Sequence, residues 1–224
     1  MLRITEKYEY PTLERVDDNG KRLYMCPDGK TVPSVTRILS ETKDTSGLKK
    51  WIKKVGEEEA TRIRIEAATV GTFMHNCLES YILGTEYVKL HPCFTQAKDM
   101  ANVIIKEGLC DVDEIWGTEV RLFYPEKYAG TTDLVGVYKG KPAIIDYKQT
   151  NKPKKKEWIE DYYLQLCAYA LAHNKVYGTD IKHGVILMCS RDMQMQVFEL
   201  PVDHFYHYST KWFSRLEDHQ SINT

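Results

Sequence analysis

The sequence predicts an α/β fold, in which a small mixed β-sheet with a central antiparallel hairpin is flanked by helices. The first observation is a pair of short apolar runs, 132–138 and 143–149, separated by Lys139-Gly140. Runs of β-branched and aromatic residues bounded by Gly and Pro are typical of a hairpin. The second is apolar residues at helical spacing in 67–83 and 157–175. The third is length, because 224 residues fit one domain with a sizeable core.

The central hairpin brings three charged side chains to one face. If its turn has two residues, Asp133 lies directly opposite Asp146. Side chains in that position share a face, with Cβ atoms about 5 Å apart. Lys148 lies two residues beyond Asp146 and points to the same face. Two carboxylates this close repel each other unless a cation lies between them or one keeps a proton.

This grouping has two interpretations. A hard divalent cation, Mg²⁺ or Mn²⁺, takes oxygen ligands, so one or two such ions beside Lys148 would make a site for phosphodiester hydrolysis. Asp133, Asp146 and Lys148 are then the catalytic residues, and Lys148 orients or deprotonates the attacking water. The other interpretation is a surface hairpin with an Asp–Lys salt bridge. The apolar neighbours of Asp146 favour the first, because an acid in an apolar strand is costly unless its charge is used.

Composition indicates a soluble globular protein. Apolar residues make up 42% of the chain and charged residues 28%, with a net charge of −1. Any nucleic-acid site must therefore come from local clusters of cations. We expect no membrane span, because no run of about 18 apolar residues occurs, and no signal peptide at the N-terminus. The six scattered cysteines contain no C-x-x-C pair, so we interpret them as reduced, buried side chains of a cytoplasmic protein.

Three segments organise the single predicted domain. Residues 1–32 predict a β-hairpin appendage, with strands 8–16 and 21–25 around a turn. Residues 33–110 are predicted to be mostly helical, and 111–224 form the catalytic core. The helices are expected at 34–39, 48–66, 67–83, 94–108, 157–175 and 205–217, with Ser34 as the first cap and further strands at 115–124, 182–190 and 193–200.

Cations cluster in two places. The helical run 48–66 contains Lys49, Trp51 and Lys53. It is either a solvated helix face or a strip that neutralises phosphates, with Trp51 stacking on a base. The second cluster, 152–156, directly follows the strand of Lys148. It is either a solvated loop or a phosphate-gripping loop, with Thr150 and Lys154 as the candidate contacts.

The helix at 157–175 has one stripe of apolar residues, to which Trp158, Tyr162 and Tyr169 belong. Gln165 and Tyr169 are four residues apart and share a face. Burying a Gln side chain on that stripe costs free energy unless its amide has hydrogen-bond partners. The pair is either an ordinary buried polar pair or part of the active site.

Several motifs carry a family resemblance. They are Pro33-Ser-Val-Thr-Arg-Ile-Leu39, Gly71-Thr-Phe-Met-His75, Tyr128-Ala-Gly130, Asp133, Asp146-Tyr-Lys148, Lys152-Pro-Lys154, Gln165-x-x-x-Tyr169 and Lys211-Trp-Phe-Ser-Arg-Leu-Glu217. Their order and spacing resemble the RecB-like branch of the PD-(D/E)XK nuclease superfamily. Within it, the chain looks like the family of mitochondrial genome maintenance exonucleases and their phage relatives. The resemblance implies a restriction-endonuclease-like core.

The resemblance also implies roles for single residues. A lone His on a helix surface is more often structural than a ligand, but the resemblance implies that His75 joins Asp133, Asp146 and the carbonyl of Tyr147 as a metal ligand. Glu119 is expected to support the metal ligands from outside at most, without binding the metal itself. The resemblance places Gln165 and Tyr169 beside the active site. Together with the candidates from the two cation clusters, the predicted substrate-binding residues are Lys49, Trp51, Lys53, Thr150, Lys154, Gln165 and Tyr169. Gln149 stands where relatives often have Thr or Ser.

The function implied is an Mg²⁺- or Mn²⁺-dependent exonuclease that cuts single-stranded DNA from a free end into short oligonucleotides. Replication, recombination and repair proteins or phage DNA metabolism are the implied context. An endonuclease of the same superfamily, restriction-type or structure-selective, is one alternative. A non-catalytic nucleic-acid-binding module is another. The cysteine spacing does not predict the iron–sulfur cluster that some relatives carry.

Overall fold

The computed structural model describes residues 3–18 and 21–223. The strands are β1 (Glu14–Asp18), β2 (Lys21–Met25), β3 (Thr31–Pro33), β4 (Val112–Tyr124), β5 (Tyr128–Tyr138), β6 (Lys141–Thr150), β7 (His183–Ser190) and β8 (Met195–Leu200). The helices are α1 (Val35–Glu41), α2 (Ser46–Val55), α3 (Glu57–Leu83), α4 (Phe94–Glu107), α5 (Glu160–Tyr177) and α6 (Val202–Ile222). Single 3₁₀ turns at Leu109–Asp111 and Lys156–Trp158 precede β4 and α5.

The main sheet has five strands in the order β4-β5-β6-β7-β8. All neighbours are antiparallel except β6 and β7, which are parallel. A parallel pair needs a crossover, and α5 provides it. Every residue of β7 is buried, since helices cover both faces of the sheet. The predicted α/β fold, with a mixed sheet, a central hairpin and flanking helices, is confirmed.

Alternation along the strands divides the core in two. On one face, Val135, Ile144 and Ile186 pack with side chains of α1, α5 and α6. On the other, Leu134, Ile145 and Leu187 pack with side chains of α3 and α4. The helix that contains His75 and the helix that contains Gln165 therefore lie on opposite faces of the same hairpin.

The central hairpin turns as predicted. Lys139 and Gly140 both have positive φ, 46° and 75°, which is the type I′ geometry that matches the strand twist. Tyr138 pairs with Lys141, and the paired register continues to Leu134 opposite Ile145. Asp133 and Asp146 follow at the next step.

The N-terminal prediction needs correction. The first strand begins at Glu14, not at residue 8, and β3 adds a third strand to the pair. The predicted turn at 17–20 falls partly on residues 19–20, which lie outside the described residues. Tyr8 and Tyr10 instead pack in a cluster of rings around His173. Their side chains are half-buried against the core of the main sheet, and neither residue belongs to a strand.

The predicted division between helices at residue 67 is also wrong. The break is at Gly56, whose φ of 91° a non-glycine residue rarely adopts, and α3 then runs unbroken for 27 residues. Its buried stripe includes Met74, Leu78 and Ile82. Tyr81 belongs to the apolar residues of the predicted helix 67–83, but it lies about 100° round the helix from Ile82 and is 52% exposed.

Two aromatic residues of the predicted helices and one cysteine are exposed, although Trp158 and the cysteines were predicted to be buried. Trp158 lies in the 3₁₀ turn before α5, because Ile159 takes the buried position and the helix begins after it. Tyr206 lies on the outer side of α6. Cys110 is exposed in the turn before β4, whereas Cys26, Cys167 and Cys189 are buried; all six thiols are free. No helix in the described ranges combines the length and apolarity needed to cross a membrane.

One glycine allows the closest approach between α5 and the hairpin. A Cβ atom on Gly130 would lie 2.8 Å from the ring of Tyr169. Tyr128, two residues earlier, donates its hydroxyl to the carbonyl of Ala168 at 3.0 Å. The Tyr-Ala-Gly motif therefore fixes α5 against β5, directly beside Asp133.

We predict that Gly130→Ala destabilises the fold by about 1–3 kcal/mol, because the Tyr169 ring must move. Gly71→Ala is the matched control. A Cβ there meets Gln149 Cγ at 3.6 Å, an ordinary contact, and an alanine in a helix is favoured over glycine by up to about 1 kcal/mol. Urea unfolding of both variants checks this, and equal effects would contradict it.

Candidate active site

Three acids lie in one row across β4, β5 and β6. Thr118 pairs with Leu134 and Val120 with Thr132, so Glu119 lies opposite Asp133. The register between β5 and β6, extended by one step, places Asp133 opposite Asp146. Asp133 is only 8% exposed and Asp146 only 3%. Buried charges at this spacing require compensation.

Asp133 joins three elements. Its Oδ2 accepts the backbone N–H of Tyr147 at 2.5 Å, so the carboxylate continues the bonding between β5 and β6 where the regular pairing ends. Its Oδ1 lies 3.0 Å from Nδ1 of His75 on α3. The side chain is therefore fixed from both sides.

Asp146 and Lys148 form an ion pair on their strand. Lys148 Nζ also lies 5.2 Å from the centre of the Tyr162 ring on α5. Neighbouring residues of the strand point the other way, with Tyr147 packed edge-on against His75. The three residues that the sequence predicted as catalytic are thus brought together at one end of the hairpin.

The protonation of these groups follows from their neighbours. Burial lowers the pKa of His75, but the charge of Asp133 and the hydrogen bond to it outweigh burial and raise the pKa to about 9. Burial raises the pKa of Asp133, yet the charge of His75 leaves it below the usual value. Likewise, burial lowers the pKa of Lys148, but the charge of Asp146 raises it overall.

The other two acids behave differently. Burial, aided by the charge of Asp133, raises the pKa of Asp146 above the usual aspartate value despite Lys148. Burial and then the charge of Asp133 raise the pKa of Glu119 to about 7. His75 can hold a metal only as the neutral imidazole, so a bound cation would replace its proton as the positive charge beside Asp133 and Glu119.

The residues fit a divalent metal. One ligand atom each from His75, Glu119 and Asp133 lie within 4.8 Å of one another. They line a groove of about 450 Å³ with Gly71, Thr72 and Glu79. One imidazole with carboxylates suits Mn²⁺, and carboxylate oxygens suit Mg²⁺. The sequence predicted that Glu119 would support the metal ligands from outside at most. In the structure, its carboxylate lies in the same cluster of ligand atoms as His75 and Asp133.

Glu119 has an unusual backbone. Its φ is 48°, in the left-handed region that costs a residue with a side chain about 1–3 kcal/mol. Such strain persists only where the surroundings fix the residue. Here it aims the carboxylate toward His75 and Asp133.

The other predicted contacts lie in different places. Gln165 is buried and donates to the Tyr169 hydroxyl at 3.3 Å, beside Gly130. Thr150 is buried, and its hydroxyl donates to the carbonyl of Lys152 at 2.9 Å. Lys154 is half-buried in the following loop.

The cations of α2 are not adjacent to the acids. Lys49 and Lys53 are exposed, and Trp51 is 37% exposed above a groove between α2 and the start of α3. That groove ends at Ala67, eight residues before His75, which corresponds to about 12 Å along the helix. A strand bound at both places would have to span that distance.

Two polar contacts that sequence reasoning missed connect α3 to the end of β6. Gln149 Nε2 donates to the carbonyl of Ala67 at 3.0 Å. Arg191, in the turn after β7, lies 2.6 Å from the carboxylate of Glu66 and donates its backbone N–H to Thr150. Residues 66 and 191 are too far apart in sequence for any local pattern to link them.

Three related proteins align with most of this chain. Mitochondrial genome maintenance exonuclease 1 of Xenopus tropicalis is 28% identical over 204 residues, which cover 85% of this chain and 58% of that protein. The human protein of that name is 27% identical over 210 residues, with 84% and 58% covered. The mouse protein is 26% identical, with 84% and 59% covered. The chain is related to these exonucleases. It spans less than three fifths of their length.

A solved structure supports the fold. The crystal structure of a candidate exonuclease from Eubacterium rectale matches with a TM-score of 0.51 and 14% identity, over 71% of this chain and 69% of that one. No protein-family model matches the chain. At that identity, the likeness concerns the fold alone.

We predict that Glu119→Gly raises the free energy of unfolding by about 1 kcal/mol relative to Glu119→Gln, because glycine relieves the strained φ. Both variants lose the carboxylate charge, so both should lose the rise in melting temperature that Mn²⁺ gives the unchanged protein. Denaturant unfolding in EDTA and melting with Mn²⁺ measure the two effects. Equal stability of the two variants would contradict the strain.

Proposed function

We propose that this chain is a divalent-metal-dependent nuclease that hydrolyses phosphodiester bonds of single-stranded DNA from a free end. The row of Glu119, Asp133 and Asp146 beside His75 and Lys148 carries the proposal. Relationship to proteins named as exonucleases supports the same activity.

Each residue of the site has a separate proposed role. The proposed metal ligands are His75, Glu119, Asp133, Asp146 and the carbonyl of Tyr147. When bound there, Mg²⁺ or Mn²⁺ supplies positive charge to the scissile phosphate and the leaving oxygen. Lys148, fixed by Asp146 and the ring of Tyr162, orients the attacking water by donating to it. Asp146, whose pKa burial raises, is placed to take the proton that the water loses.

The substrate assignment depends on charge distribution. The net charge of −1 gives no broad field to attract a duplex. Cations are instead clustered on α2 and in the loop after β6, which suits a strand that follows a narrow path. The proposed contacts are Lys49, Trp51, Lys53 and Lys154. Gln165 and Tyr169 pack α5 against the hairpin at Gly130.

We predict that Asp133→Asn, Asp146→Asn and Lys148→Met each lower the rate of cleavage at least about 100-fold, as losses of single groups that stabilise developing charge do. Lys141→Ala, at the opposite end of the hairpin, is the control and should cleave normally. Digestion of a labelled oligonucleotide with Mn²⁺ measures the rates, and circular dichroism verifies folding. Full activity in a folded Asp133→Asn or Asp146→Asn variant would remove the assignment.

Dependence on a free end has its own test. Linear and circular single strands of equal sequence are incubated with Mn²⁺, with Mg²⁺ and with EDTA. We expect the linear strand to be degraded with either metal and not in EDTA, while the circle remains intact. Cutting of the circle would instead identify an endonuclease with the same metal site.

A further inference from the structure

Trp158 is an exposed aromatic residue with no structural role in the core. It is 62% exposed, although helical periodicity predicted it to be buried. Lys155 Nζ lies 5.6 Å from the centre of its ring. A flat exposed indole face beside an ammonium group is the kind of surface on which single-strand binders stack bases.

The loop around Trp158 is basic and unpaired. It contains Lys152, Lys154, Lys155 and Lys156. Within residues 3–18 and 21–223, none of these four ammonium groups has a carboxylate within 4 Å, and the same holds for Lys49 and Lys53 of α2. The positive charge here is therefore available to an anionic partner.

The loop is held rigidly. The side chain of Gln196 on β8 accepts the backbone N–H of Lys154 at 2.8 Å and donates to its carbonyl at 3.0 Å. Ile159, next to Trp158, is fully buried and accepts the N–H of Tyr162. Trp158 is therefore presented on a fixed backbone, which lowers the entropy lost when a ligand stacks on it.

The loop is continuous with the active site. Tyr162, whose ring lies beneath the ammonium of Lys148, follows Trp158 by four residues. One turn of 3₁₀ or α-helix corresponds to about 6 Å. Trp158 therefore lies within about one helical turn of the residue whose ring contacts the Lys148 ammonium.

We propose that Trp158 is a stacking platform for a base of the single strand, close to the scissile phosphate. The lysines of the loop hold the adjoining phosphates. This inference rests on the proposed function and gives the path of the strand on one side of the site. Every base has a face that can stack, so the platform is tolerant of sequence.

The test compares Trp158→Ala with Trp158→Phe and with Tyr206→Ala. Tyr206 is a matched control, since it is 66% exposed and Lys182 Nζ lies 5.5 Å from its ring, but Asp180 pairs with that lysine. Affinity is measured in EDTA by fluorescence anisotropy of a labelled oligothymidylate. A second oligonucleotide of equal length has abasic sites throughout.

We expect Trp158→Ala to weaken binding of the oligothymidylate roughly 10-fold, within the range that single stacking contacts contribute. Trp158→Phe should lose less, and Tyr206→Ala should bind normally. On the abasic strand the difference between Trp158→Ala and the unchanged protein should vanish, because no base remains to stack. Equal affinity of Trp158→Ala for the oligothymidylate, or an equal loss on the abasic strand, would overturn the proposal.

A cleavage measurement separates this inference from the proposed function. The substrates are the oligothymidylate and a nitrophenyl ester of thymidine monophosphate, which has no neighbouring base. With Mn²⁺, the ratio of kcat/KM for the strand to kcat/KM for the ester should fall about 10-fold in Trp158→Ala. If the unchanged protein cleaves neither substrate, the nuclease proposal fails. If it cleaves both and the ratio is unaltered, only the stacking platform fails.

Discussion

Two buried acids, Asp133 and Asp146, and the exposed Glu119 lie on neighbouring strands and repel one another, and the site is arranged to offset that repulsion. His75 and Lys148 each neutralise one carboxylate from a different side of the sheet. Desolvation and the charge of Asp133 raise the pKa of Glu119 to about 7. A bound ion is expected to supply the positive charge beside Asp133 and Glu119 when His75 coordinates it as the neutral imidazole.

The fold gives this site its precision. The hairpin turn sets the register, and the register sets which acids face each other. α3 and α5 then contribute from opposite faces, with His75 hydrogen-bonded to Asp133 and the Tyr169 ring packed on Gly130. Contacts at the end of β6 fix the same strand to α3. Such support keeps charged side chains in place without their solvent shell, which preorganised catalysis requires.

The sequence predicted the central hairpin well because a two-residue turn leaves only one register. Glu119 lies opposite Asp133 in the regular part of the β4–β5 pairing, but no local sequence pattern indicates the left-handed φ of 48° at this residue. The break at Gly56 was missed because a single glycine in a charged helical run is often tolerated. Trp158 was wrongly predicted to be buried, because the apolar spacing of α5 extends to residues before the helix begins. Only the burial of Ile159 shows where the helix starts.

The acids and their counter-charges define the chemistry, and the basic surfaces on either side define what reaches it. The metal site is the more fundamental of the two, because every step proposed for the substrate depends on a cation held by the acids. A crystal of the protein soaked in Mn²⁺, with an anomalous difference map collected at the manganese edge, tests it directly. We predict a peak about 2.0–2.3 Å from an oxygen of Asp133 and from the imidazole of His75. A map with no peak at that end of the hairpin, at a concentration that supports cleavage, would contradict the account.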